Sequence, residues 1–204
     1  MSARAIYTVG HSNNPIGKLV ELLHAQRIET VADVRSHPSS RFNPQFNRAA
    51  LQASLAAAGI GYEFLGRELG ARSQDHAVYV DGKVDYERLA ATAPFREGIA
   101  RVAELAAAER VALLCAEKDP IGCHRAILVC PPLAARGFAP LHIHADGRVE
   151  TDAELGDRLI AELSLVEDLF RDRDALRAEA YRRRGRELGY ARRPAPGTRP
   201  ASSR

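Results

Sequence analysis

Among the eleven residues from Cys115 to Arg125 are two thiols, a carboxylate near the strand end, an imidazole and a guanidinium: Cys115, Cys123, Glu117, His124 and Arg125. The apolar run before them, VALLC, has the character of a buried strand that ends at Cys115. A polar turn, KDPIG, follows, and the spacing predicts a helix that starts at Cys123. The first N–H groups of a helix have no partner within it, so that end attracts anions and stabilises thiolates. Cys123 is therefore expected to have a lowered pKa if it faces a pocket, the alternative being a buried, inert thiol. Cys115, at the strand end, is either a second reactive thiol or a structural one. Cys130, on the apolar side of the expected helix, reads as core. Glu117 suits a general acid or base, and equally an ion pair with Arg125 that ties the loop together.

The same residues also admit a metal reading. Cys115, Cys123 and His124 with Glu117 or His11 would make a mixed ligand set acceptable to zinc. The spacing lacks the paired C-x-x-C of a structural site, and adjacent Cys-His seldom converge on one ion. No metal is assigned on this basis, and no cofactor is identified.

Other candidates stand where strands are expected to end. His11 and Ser12 follow the run IYTV, Asp33 and Arg35 close a second strand, and Arg67 and Glu68 follow a third. Arg125, Arg67 and Arg41 are fork-shaped donors suited to a phosphate or carboxylate, or else solvated surface arginines. Asp33 with Arg35 is either part of a site or a structural ion pair. His142 and His144 alternate along a strand and read as a satisfied edge pair.

The elements that must position these residues can be read in order. Strands are expected at 5–9, 30–35, 60–65, 111–115 and 140–144, and helices at 15–25, 48–58, 94–109, 123–130 and 154–173. Pro131 and Pro132 are expected to end the fifth-strand crossover helix at 130. A loop rich in Pro, Ser and Asn spans 36–44, long enough to be functional. Residues 71–91 resist assignment, with 78–82 a possible hairpin or lid. Strands alternating with helices predict one three-layer α/β/α domain with a mostly parallel sheet. In such sheets ligands collect at the carboxyl ends of the strands, where His11, Asp33, Arg35, Arg67 and Glu117 all fall.

A chain of 204 residues with 46% hydrophobic and 27% charged residues suits one soluble domain. No run reaches the roughly 18 apolar residues of a membrane helix, and no signal peptide is evident, so a cytoplasmic protein is expected. Three cysteines suit a reducing compartment. The net charge of +3 conceals an asymmetry: residues 177–204 hold nine arginines and two glutamates, a net +7, leaving −4 for the rest. The domain is accordingly placed at 1–176, followed by a basic, flexible tail that could touch nucleic acid.

Several motifs together resemble one family, the domain-of-unknown-function family 488. They are Gly10-His11-Ser12, Asp33-Val34-Arg35 with Pro38 and Ser40-Arg41-Phe42, Leu65 through Gly70, Cys115-Ala116-Glu117 through Cys123-His124-Arg125, and His142-Ile143 with Asp146-Gly147. The resemblance covers about residues 5–150 and implies that the polar residues chosen by topology are signature positions. It implies no activity. An Asp-Val-Arg strand and a later strand ending in Cys are also similar to rhodanese-type domains in architecture, so a Rossmann-like or rhodanese-like sheet is expected. Nine residues separate Cys115 from Arg125, a longer loop than that likeness would carry. The expected function is that of a small enzyme for a phosphate-bearing or nucleotide-like ligand, with a thiol-dependent sulfurtransferase or phosphatase-like activity and a nucleic-acid-binding role of the tail as alternatives.

Overall fold

A computed structural model describes residues 3–166 and 171–191. The run AIYTV forms strand β1 (Arg4–Gly10), whose last five residues are buried. Pro15 sets the entry to helix α1 (Ile16–Ala25), which buries Leu19, Leu22 and Leu23. Strand β2 (Thr30–Asp33), helix α2 (Arg48–Ala57) and strand β3 (Gly61–Phe64) follow. Next come the short helix α3 (Gly66–Leu69) and a hairpin of β4 (Tyr79–Val80) and β5 (Lys83–Val84). Asp81 and Gly82, both at positive φ, make its turn, the backbone a two-residue hairpin loop requires. The short helix α4 (Tyr86–Ala90) leads to α5 (Ala93–Ala108), capped by Thr92, and then to β6 (Val111–Cys115). Helix α6 (Cys130–Ala134), strands β7 (Phe138–Ile143) and β8 (Val149–Thr151), and helices α7 (Asp152–Glu162) and α8 (Arg173–Leu188) complete the described chain.

The six-stranded sheet has the order β3-β2-β6-β1-β7-β8, parallel except for the β7–β8 edge pair. Successive residues of a strand face opposite sides, and here both sides are apolar, as a buried parallel sheet requires. Tyr7, Val9, Ala112 and Leu114 pack with Leu19, Leu23, Leu51 and Leu55 of α1 and α2. Ile6, Ala32, Val111 and Leu113 pack on the other side with Phe95, Val102, Leu133, Leu159 and Leu176. The chain leaves β1 towards β2 and leaves β6 towards β7, in opposite directions along the sheet, although β1 and β6 are neighbours. A crevice opens at such a switch point, beyond the carboxyl ends of the two strands.

Three expectations need correction. The helix expected at 123–130 is instead a wide π turn, Arg125–Val129, running straight into α6. Cys130 N–H reaches back to Arg125 O, and Pro131 and Pro132 occupy the first turn of α6, where a missing N–H costs little. The helix expected at 154–173 ends at Glu162, with Ser164 at φ 52° just beyond, and a separate helix starts at Arg173. The supposed tail from 177 begins inside α8. Leu176 and Ala180 are fully buried, and Arg177 and Arg184 pair with Asp157 and Glu162 of α7. Apolar spacing on an arginine-rich helix was masked by its charge. Residues 192–204, where the rest of the expected nucleic-acid contact lies, are outside the described residues. Strand β8 was missed because three residues carry too little pattern. Among the described residues, no helix is long and apolar enough to cross a membrane.

Candidate functional site

The register sets Gly10 beside Cys115 and Asp33 beside Leu114, so the residues that follow β1, β2 and β6 emerge at one end of the sheet. Pairing continues past the strands, with His11 N–H bonded to Cys115 O and Ser12 N–H to Ala116 O, both at 2.9 Å. Gly10 makes this closure feasible: a Cβ there would sit 1.7 Å from Glu117 O.

Arg125 locks the same loop from beneath. It is fully buried. It donates through Nη1 to Glu117 O at 2.7 Å, through Nη2 to Lys118 O at 3.3 Å and through Nε to Thr8 Oγ1 at 3.3 Å. These bonds turn the guanidinium to the loop's own carbonyls. Asp119 pins the outer side, accepting from Ile121 N–H and from both terminal nitrogens of Arg158 at 2.8 Å.

A second lock surrounds Arg35. Asp33, wholly buried, accepts from Arg35 Nε at 2.8 Å and Nη2 at 2.6 Å, and from Tyr62 Oη at 2.8 Å. Arg35 Nη1 donates to Phe46 O at 2.9 Å and to His11 Nε2 at 3.1 Å. His11 Nδ1 then donates to Ser12 O at 2.7 Å, while its ring stacks on Phe46 with centroids 4.1 Å apart. Those partners assign the Nδ1–H tautomer. Burial lowers its pKa to about 4, against the Ser12 carbonyl, so the ring is neutral at pH 7.

The thiols lie beside His124. Its Nε2 donates to Val34 O at 3.0 Å, which leaves Nδ1 as the lone-pair nitrogen. That atom is 3.5 Å from Cys115 Sγ and 3.9 Å from Cys123 Sγ. The Cys123 thiol lowers Cys115 to about 7 against the opposing effect of burial, helped by the Arg125 charge and the N–H groups of Glu117 and Ala116. Burial pushes Cys123 up instead. Burial also opposes charge on His124, but the Cys123 thiol and the Val34 carbonyl outweigh it, and its pKa is raised. The lowered pKa expected of Cys123 is thus found at Cys115. Both thiols are buried, and the difference lies in their partners: Cys123 and the N–H groups of the 116–117 loop stabilise a Cys115 thiolate, whereas Cys123 lies behind Cys115 and His124 and does not line the cavity. Cys130 is a core residue, as expected.

These loops surround a cavity of about 700 Å³. His11, Ser12, Arg35, Cys115, Glu117 and His124 line it, with Asp33 behind Arg35. Arg125 faces the core. Arg41, over the Phe42 ring, Arg67, exposed on α3, and Glu68, against Gly98 of α5, are not among the lining residues. Sequence reasoning missed Ser36, His37, Asn43, Arg72, Tyr86 and Tyr190, all of which line the cavity. The 36–44 loop had signalled the first three by its length and composition. Arg72 and Tyr86 come from the stretch that could not be assigned, and Tyr190 from the supposed tail.

Residues 15–130 match the model of the family described as Domain of unknown function DUF488. The chain belongs to the DUF488 family. The matched span carries Asp33, Arg35, Cys115, Cys123, His124 and Arg125, and excludes His11 and the α8 wall of the cavity. No curated protein and no solved structure matches the chain.

Proposed function

We propose that this DUF488 protein is a small enzyme for a substrate carrying a phosphate or similar anion, with Cys115 as its attacking group. The observation that carries the reading is the contact of Cys115 Sγ with the lone-pair nitrogen of His124, on a polar cavity at the switch point of the sheet. A thiol beside an imidazole that is itself oriented by a third group is the common arrangement for an activated nucleophile. Val34 O supplies that orientation here.

Arg72 brings positive charge to the cavity, Arg35, paired with Asp33, lines it with a guanidinium edge, and Tyr86 and Tyr190 bring aromatic surface, a combination suited to a nucleotide-like ligand. With the anion held there, the Cys115 proton passes to His124 Nδ1 as the sulfur lone pair forms the new bond. The same proton then goes to the leaving group as its bond breaks. Glu117, exposed at the rim, is the carboxylate available for a later proton exchange with water. Three free thiols fit a reducing compartment such as the cytoplasm.

The test is competitive alkylation of the native, chelator-treated protein with iodoacetamide, read peptide by peptide by mass spectrometry. Cys115 is expected to react at least about tenfold faster than Cys123 and Cys130, given its thiolate character and access. His124→Gln should slow it, and inorganic phosphate or a nucleoside monophosphate should protect it where a neutral nucleoside does not. Equal labelling of all three cysteines would defeat the nucleophile. Absence of anion protection would defeat the substrate class.

A further inference from the structure

We infer that Cys115, Cys123 and His124 form a binding site for one zinc-class cation, four-coordinate and selective for thiolate and imidazole, with its fourth position open to the cavity. The donor atoms of these three residues all lie within 4.8 Å of one another, and no other such group of His, Cys, Asp and Glu occurs among the described residues. Zinc binds sulfur at about 2.3 Å and nitrogen at about 2.0–2.1 Å, so tetrahedral angles place two donors roughly 3.6–3.8 Å apart. The Sγ to Nδ1 distances of 3.5 and 3.9 Å are close to that spacing, and the two sulfurs lie within 4.8 Å of each other, so side-chain adjustments of about an ångström or less bring all three donors to one ion.

A second, independent feature concerns the far side of the imidazole. A metal-ligating histidine almost always donates its other ring N–H to a carbonyl or carboxylate, which fixes the tautomer and aims the lone pair. His124 Nε2 does so to Val34 O at 3.0 Å. Nδ1 is therefore aimed at the thiols in advance. Cys123 supplies the buried side of the site, whereas Cys115 and His124 line the cavity, so the vacant coordination position falls where solvent or substrate can reach it. Two thiolates balance the charge of a divalent ion, and both thiol protons are released on binding. The objection from sequence, that adjacent Cys and His seldom converge on one ion, is met by the local backbone. Cys123 is extended (φ −133°, ψ 137°) and His124 already helical (φ −59°, ψ −25°), and both donors come to the same point.

The inference does not need Cys115 to be a nucleophile. A bound cation occupies the Cys115 lone pair, so the loaded site shields that thiol from electrophiles. The experiment uses the full chain, freed of metal by a chelator and titrated with Zn²⁺ against a chromophoric competitor, with Co²⁺ as spectroscopic substitute. One ion per chain is expected, and bound Co²⁺ should show a thiolate-to-metal charge-transfer band. Cys123→Ser, checked for native circular dichroism, should weaken Zn²⁺ binding by more than about 100-fold, above the 10–100-fold of losing an outer partner. If that variant fails to fold, the wild-type Co²⁺ spectrum decides alone: a bound ion without a thiolate band overturns the site. One equivalent of Zn²⁺ should also block Cys115 alkylation. Rapid Cys115 alkylation with no thiolate-bound metal removes this inference and leaves the nucleophile, and the reverse pattern removes the nucleophile and leaves the metal.

Discussion

Asp33 has no exposed surface, and both its oxygens are engaged, by Arg35 and by Tyr62. Breaking a buried pair by removing one partner leaves an uncompensated charge, at a cost of about 3–5 kcal/mol. Asp33→Ala should destabilise the protein by that amount in urea unfolding, because the Arg35 guanidinium would lose the two bonds that balance its charge. A loss below about 1 kcal/mol would mean that Arg35 relaxes into the cavity and that the pair is not structural. At this scale the sequence was informative about residue type and less so about direction. Asp33 and Arg35, two apart at a strand end, were open to reading as a site or an ion pair, and they are an ion pair that also borders the cavity. Arg125 looked like an anion clamp because a guanidinium after a polar loop has no evident partner. Its partners are the carbonyls of Glu117 and Lys118, and no side-chain pattern marks a backbone oxygen. Which of Cys115 and Cys123 borders the cavity was hidden for a similar reason: the sequence places both near a loop, but only the fold decides that Cys115 lies in front.

The segment from Ala116 to Gly122 is held at three points, by Gly10 below it, by Arg125 inside it and by the Asp119–Arg158 pair outside it. Arg158 holds Asp119 down at about 2, against a smaller opposing effect of burial. A carboxylate with a depressed folded pKa contributes stability that is fully present above its unfolded value, 3.8, and is lost as pH falls towards the folded one. The stability gap between wild type and Asp119→Asn should therefore be constant above pH 5 and shrink between pH 3.8 and 2. Denaturant midpoints at pH 6 and pH 3 measure it, and a gap that does not change with pH would show that the ion pair contributes nothing. Both groups are substantially exposed, so the effect should also weaken with salt. Elements with a long apolar stripe, such as α1, α2 and α5, were legible almost to the residue. The π turn was not. Two prolines argue for a helix end on sequence grounds, and only the wide turn ahead of them lets the helix continue.

Two apolar cores, one on each face of the sheet, explain why the alternation of strands and helices was readable at the level of the whole molecule. What it did not reveal is how the last helix takes part. Gly189 lies against β5, where a Cβ would meet Val84 O at 2.4 Å, and Val84 N–H bonds to Tyr190 O at 3.0 Å. This strap carries Tyr190 to the cavity wall, where Arg72 stacks over its ring at 4.7 Å. Tyr190→Ala should open the cavity and speed alkylation of Cys115 several-fold at little cost in stability, since the ring is only half-buried. Leu176→Ala, in contrast, should cost about 2–5 kcal/mol as a core truncation. Thermal melts alongside labelling rates separate the two, and an unchanged rate in Tyr190→Ala would mean that the ring does not gate access. The strap also has a consequence in time. Cys115 precedes Tyr190 by 75 residues, and translation at roughly 5–20 residues per second makes that an interval of roughly 4–15 s. During that interval a newborn chain already carries Cys115 but lacks the segment that forms this side of the cavity, so the pocket is completed only at the end of synthesis.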